Sequence, residues 1–180
     1  METGIYSIFA DLFTFPKEDV KLKVEECINA LSTVGGYPPE VVEDLKSFSK
    51  ELEDITLDDL QGVYSYTFEL TSDYTLDLGY HLFDGFKRAN NLSSIKSMYR
   101  DKGFPYEEAA KGELPDNFPV ILKFLDFLDD EELKKDFRES FVILAVEKMA
   151  KNFERNKRNI YRHLVNAVYR VLEKDVKEGL

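Results

Sequence analysis

Tryptophan is absent from this chain and cysteine occurs once, at Cys27. A lone cysteine excludes an internal disulfide framework and suits a reducing compartment. Only 9 Gly and 6 Pro punctuate 180 residues, too few for a fold of many short strands. No Gly-rich phosphate cradle and no G-x-S-x-G nucleophile turn occurs. The most apolar run, Phe141 to Val146, falls far short of the roughly 20 residues a membrane span needs. At the N-terminus there is no basic lead-in, and Asp11 interrupts the apolar stretch, so no signal peptide is expected. These absences lead to the expectation of a soluble, cytoplasmic protein with no membrane insertion.

Positive charge is scarce over most of the chain. The net charge is −11, but residues 1–146 carry 15 Lys and Arg against 30 Asp and Glu, whereas residues 147–180 carry 9 against 5. An acidic body repels phosphate backbones and attracts cationic peptides. The basic C-terminal stretch lacks interleaved aromatics, so pairing with acidic neighbours in the same chain accounts for it better than nucleic acid does. No nucleic acid partner is expected.

What is abundant is apolar and aromatic: 43% hydrophobic residues, with 14 Phe and 10 Tyr. That supports one substantial core, and one domain over 1–180. The periodicity is helical throughout. Ile5, Ile8, Phe9 and Leu12 mark a first helix ended by Phe15-Pro16. Val20, Val24, Cys27, Ile28 and Leu31 line a second, stopped by Gly35-Gly36, and place the thiol on a buried face. Pro38-Pro39-Glu40 opens a third, and Thr56-Leu-Asp-Asp59 caps a fourth that breaks at Thr71-Ser72-Asp73. A short helix is expected from Leu76, a break at Asn90-Asn91, and a loop over 104–114. Asp116 or Asn117 caps the next helix, with Pro119 in its first turn. Phe137 to Val146 reads as a central helix, apolar almost all round, and Ile160 to Val171 as the inner face of the last. No strand alternation stands out, and the fold class is all-α.

Two constellations compete for function. Asp77, His81 and Asp84 fall at i, i+4 and i+7, where one helix face could present three metal ligands, but the repeated Glu-x-x-His of a di-metal bundle is missing. His163, between Ile160 and Ala167, reads as a hydrogen-bonded packing residue rather than a catalytic one. The other constellation is the stretch from Tyr64 to Leu128, where polar turns abut aromatic and aliphatic helices. Glu69 sits at a helix C-terminus, against the macrodipole, which points either to a cationic neighbour or to a functional site. Leu114-Pro115-Asp116-Asn117-Phe118-Pro119 reads equally as a capped helix start with a staple and as part of a docking surface.

The same residues resemble the cytoplasmic assembly chaperones of molybdoenzymes. The likeness is closest to the nitrate reductase chaperone (NarJ-like) branch, related to the TorD and DmsD chaperones. It is carried by Ala10-Asp-Leu-Phe-Thr-Phe-Pro16, Tyr64…Phe68-Glu69-Leu70, Leu76-Asp77-Leu78 and Tyr99-Arg-Asp-Lys-Gly103. It continues through Glu113-Leu114-Pro115-Asp116-Asn117-Phe118-Pro119 and Leu122-Lys-Phe-Leu125, in consistent order over about residues 5–128. The chain departs from the family pattern at Glu69, where Asp is usual, and at Asn117, where His is common. It also has Phe83-Asp-Gly-Phe-Lys-Arg88 in place of a Gly-Asp-rich segment.

The resemblance implies a single-domain helical bundle of the TorD-like type, non-enzymatic and without a cofactor of its own. It implies a partner, the catalytic subunit of a molybdenum-dependent oxidoreductase, held by its N-terminal segment until the cofactor is inserted. In exported clients that segment is a twin-arginine signal peptide. The client-binding residues would then be Tyr64, Phe68, Glu69, Leu114, Pro115, Asp116, Asn117, Phe118 and Pro119. An apolar segment could lie on Tyr64, Phe68, Leu114 and Phe118 while client arginines meet Glu69 and Asp116. A monomer and a domain-swapped dimer both fit. The competing readings are a generic helical peptide-binding adaptor and a helical-bundle metal-binding protein.

Overall fold

The computed structural model describes residues 4–180. Ten α-helices account for most of them, and the only β pairing among the described residues is one isolated bridge. The helices are α1 (Ile5–Leu12), α2 (Val20–Val34), α3 (Pro39–Leu52), α4 (Leu57–Tyr64) and α5 (Gly85–Asp101). After these come α6 (Tyr106–Ala110), α7 (Phe118–Phe127), α8 (Glu131–Phe137), α9 (Ile143–Phe153) and α10 (Arg162–Glu178). They pack in a chain of neighbours, with α7 on α1, α1 on α2, α2 on α3, α3 on α10 and α10 on α9. The helix α5 lies at the edge, packed mainly on the 3₁₀ turn Leu78–His81 and on α6.

Helix boundaries follow local chemistry. The Thr56 hydroxyl accepts the Asp59 N–H at 3.2 Å and starts α4. Gly35, at φ 69°, ends α2 in a conformation that a side chain would strain. Pro119 sits in the first turn of α7, where its missing N–H costs nothing. Two helices loosen into π turns, Ser65–Leu70 after α4 and Arg138–Val142 joining α8 to α9. In the first, the Thr67 and Thr71 hydroxyls donate to the carbonyls of Val63 and Thr67, drawing those carbonyls toward a side-chain donor.

The core runs through the whole bundle. Phe9, Phe13, Phe48, Phe118, Phe124, Leu45 and Ile95 are fully buried. Burying each such side chain stabilises the fold by about 1.5–3 kcal/mol before entropy is counted. Cys27 lies in this core, and burial pushes its thiol up to about 12, so it is unreactive at neutral pH. A polar network crosses the core: Tyr6 and Tyr37 donate to the Asp175 carboxylate, and Arg138 donates to the Tyr6 hydroxyl at 3.4 Å. It ties α1 to α10 and to the second π turn.

Three expectations change. Asn90 and Asn91 do not break the chain; both lie inside α5, which runs unbroken from Gly85 to Asp101 and stops just before Gly103 at φ 72°. The expected loop over 104–114 contains α6, which follows Pro105, carries Glu107 and Glu108 in its first turn, and ends on Lys111 at φ 51°. The short helix expected from Leu76 is a single 3₁₀ turn. The basic last helix does pair with acidic neighbours: Arg162 meets Glu51 at 2.7 Å and Arg170 meets Asp44 at 2.9 Å, both on α3. His163 also bonds Glu51, at 2.9 Å. Burial opposes ionisation of Glu51, but the hydrogen bonds from Arg162 and His163 outweigh it and hold the carboxyl below its ordinary range. No described helix is long and apolar enough to cross a membrane.

Candidate functional site

The segments singled out in the sequence converge on one cleft, and aromatic packing builds its floor. Phe13 meets Phe118 at 5.0 Å and Phe68 at 6.2 Å between ring centroids. Tyr64 lies edge-on to Phe68 at 5.1 Å and to the exposed Phe15 at 5.7 Å. The Tyr64 hydroxyl donates to the Phe13 carbonyl at 3.0 Å, fixing the end of α4 against the chain leaving α1. Tyr64 and Phe68 reach one floor because they are four residues apart, one turn along α4 and its π extension.

The opposite wall is the turn that precedes α7. It is held by a two-bond clamp: Leu78 N–H donates to the Asp116 carbonyl at 2.9 Å, and Phe118 N–H to the Leu76 carbonyl at 2.7 Å. This pairs Asp77 with Asn117 as one antiparallel bridge. From below, the Tyr99 hydroxyl donates to the Pro115 carbonyl at 2.6 Å. Asp116 is fully buried and its Oδ2 accepts the Gly79 N–H at 3.0 Å. A Cβ on Gly79 would stand 2.7 Å from both Asp116 Oδ2 and Asn91 Oδ1, closer than atoms tolerate, so only glycine fits.

Between floor and wall the cleft has two lobes, of about 380 and 250 Å³, sharing Tyr64, Glu69, Leu76, Glu113 and Asn117. The larger adds Phe68, Thr75 and Asp77, so its charged lining is three carboxylates with no base. The smaller adds Phe15, Pro119, Lys111 and Lys123, and is mixed in sign. Among the described residues no basic side chain forms an ion pair with Glu69 or Glu113. Burial, then Asp77 and Glu69, hold the Glu113 carboxyl above its ordinary range. Asp77 is raised as well, by burial, against the opposing pull of Arg88 and His81. The larger lobe thus combines a mostly polar lining, beneath which the Tyr64 and Phe68 rings are almost wholly buried, with negative charge that its own chain leaves largely uncompensated. A cationic group complements that charge.

The structure divides the expected client-binding residues. Tyr64, Phe68, Glu69, Asn117 and Pro119 line the cleft. Phe118 and Asp116 do not reach it: both are fully buried, Phe118 because the start of α7 turns it into the core, Asp116 because it staples Gly79. Pro115 is buried on Tyr99. Leu114 is exposed on the surface but lines neither lobe. Two acids absent from the expected set complete the larger lobe, Glu113 and Asp77. In sequence, Glu113 opens the Glu-Leu-Pro-Asp turn, and Asp77 falls in the i, i+4, i+7 set with His81 and Asp84.

That constellation does not assemble. Asp77 precedes the 3₁₀ turn, His81 ends it and Asp84 precedes α5, so the three do not share one helix face. His81 Nε2 lies 2.8 Å from the Thr75 carbonyl oxygen, and burial lowers its pKa. Among the described residues no group of three or more His, Cys, Asp or Glu is placed to hold a metal ion. The chain matches no protein-family model and no curated protein sequence.

Proposed function

We propose that this protein is a non-enzymatic assembly chaperone whose cleft receives the N-terminal segment of a molybdenum oxidoreductase catalytic subunit in the cytoplasm. It would hold that segment until the cofactor is inserted. The observation that carries this reading is the pairing of Tyr64 and Phe68 with Glu69, Asp77 and Glu113 in one lobe. An apolar stretch of the client covers the aromatic floor, and an adjacent arginine meets the carboxylates through charge-assisted, fork-shaped hydrogen bonds. Support for this client class comes from the family resemblance, whose motif segments are the ones that build the cleft. A twin-arginine signal segment is one client with this chemistry.

The test is titration of a labelled client N-terminal peptide against the wild type, Glu69→Gln, Glu113→Gln and the double variant, at several salt concentrations. Each single change should weaken binding and flatten its salt dependence, and the double variant should lose most of the salt-sensitive part. Equal affinity of all four proteins at every salt concentration would remove the carboxylates from the reading.

A further inference from the structure

Among the described residues, Arg88 on α5 is the one guanidinium paired with Asp77 and Asp116. Its Nη2 lies 3.7 Å from Asp77 Oδ2 and 3.5 Å from Asp116 Oδ2, and its head stands 5.7 Å from the Tyr80 ring centroid. These are Coulombic contacts without hydrogen bonds. Among the described residues the buried Nε has no acceptor, and the buried Asp116 Oδ1 and Asn91 Oδ1 have no donor. Asp116 has no side-chain exposure, whereas Asp77 retains 29% and faces the larger lobe. Arg88 lines neither lobe yet reaches Asp77, one of the larger lobe's three carboxylates, and its Nε is left unused. Its helix is held in the core farther along by Ile95 and Tyr99, and otherwise packs mainly on the Leu78–His81 turn and on α6. A well-formed Arg–carboxylate pair makes two parallel N–H···O bonds, and this one makes none.

We propose that Arg88 is a resident stand-in for the ligand's guanidinium: it neutralises Asp77 until an incoming arginine takes that carboxylate in a better geometry. Arg88 then keeps only Asp116 and turns toward solvent. The inference rests on the cleft reading above and adds a threshold to it. A ligand must out-compete an internal cation, so a segment carrying guanidinium groups is admitted over a merely apolar one.

The test uses the full chain and two labelled peptides, one with paired arginines ahead of an apolar segment, the other with citrulline in place of both. Arg88→Gln should bind the arginine peptide about tenfold tighter than wild type, with Arg88→Lys between the two, and should leave the citrulline peptide unchanged. Because Arg88→Gln leaves Asp116 buried without its cation, its folding is checked by circular dichroism. The wild type gives a second readout, since the Arg88 Nε–H resonance should move and exchange faster with water when the arginine peptide is added. If Arg88→Gln binds no tighter and the resonance stays fixed, while Glu69→Gln and Glu113→Gln still weaken binding, the stand-in is overturned and the cleft survives. If wild type and Arg88 variants alike bind both peptides equally or not at all, the cleft reading fails and the stand-in fails with it.

Discussion

The Tyr99 hydroxyl donates to the Pro115 carbonyl across a distance of 2.6 Å, and both groups are buried. This bond joins α5, the most peripheral long helix, to the turn that forms one wall of the cleft. Tyr99→Phe removes the donor and leaves a buried carbonyl unpaired, which costs about 1–3 kcal/mol. Urea unfolding should show that loss with an unchanged denaturant slope, because the ring still packs on Phe104 and Phe124.

Phe118 and Phe15 separate core from docking surface. Phe118 is fully buried, so Phe118→Ala should cost about 3–5 kcal/mol of stability. Peptide affinity per folded molecule should change little. Phe15 is 45% exposed and lines the cleft, so Phe15→Ala should cost less than about 1 kcal/mol of stability yet weaken peptide binding severalfold. Denaturant titration and peptide titration on the same preparations check both.

Gly79→Ala tests the wall. The added methyl would collide with Asp116 and Asn91 side chains held in a buried corner, forcing the 3₁₀ turn away from the clamp. A loss of about 1–3 kcal/mol is expected, together with weaker peptide binding. Gly62 is the control: a methyl there meets no neighbour within 4 Å, and Gly62→Ala should be neutral or slightly stabilising.

Acid should move binding and stability in opposite directions. Burial raises Asp77, Glu113 and Asp116 in the folded protein, so these groups take up protons on the native state before the unfolded chain does. A raised carboxyl contributes stability that is present below its unfolded pKa and lost as pH rises through its folded one. Lowering pH from about 7 toward about 5 should therefore hold or raise the thermal midpoint, while affinity for an arginine peptide falls as the acceptors are neutralised. Below that window the sign reverses, because Glu51 and Asp130 are held low by their hydrogen-bond partners and must be protonated.

Most helices were legible because each announces itself locally. The Thr56 cap, the Pro39 start, the Gly35 stop and the apolar spacing of α2, α3 and α10 act within a turn or two of chain. Asn90-Asn91 misled because two adjacent polar residues resemble a turn in sequence, whereas Asn90 is exposed and Asn91 points its Oδ1 inward beside Gly79. The cleft was half legible. Tyr64, Phe68, Glu69, Asn117 and Pro119 could be grouped by motif, but which side of the pre-α7 turn faces out depends on the clamp from Leu76 and Leu78. That long-range pairing buries Asp116 and brings Asp77 to the lobe. The Tyr6–Asp175–Arg138 network, joining residues 132 and 169 positions apart, left no local trace at all.

The most direct measurement places a photo-reactive phenylalanine analogue at Phe15, where the side chain is exposed at the mouth of the cleft, and irradiates cells of the protein's own source. Mass spectrometry then identifies the cross-linked peptide. The expected cross-link is to the N-terminal segment of a molybdenum oxidoreductase catalytic subunit, and it should be reduced in the Glu69→Gln, Glu113→Gln double variant. Cross-links only to unrelated proteins, or to parts of that subunit remote from its N-terminus, would contradict the proposed function.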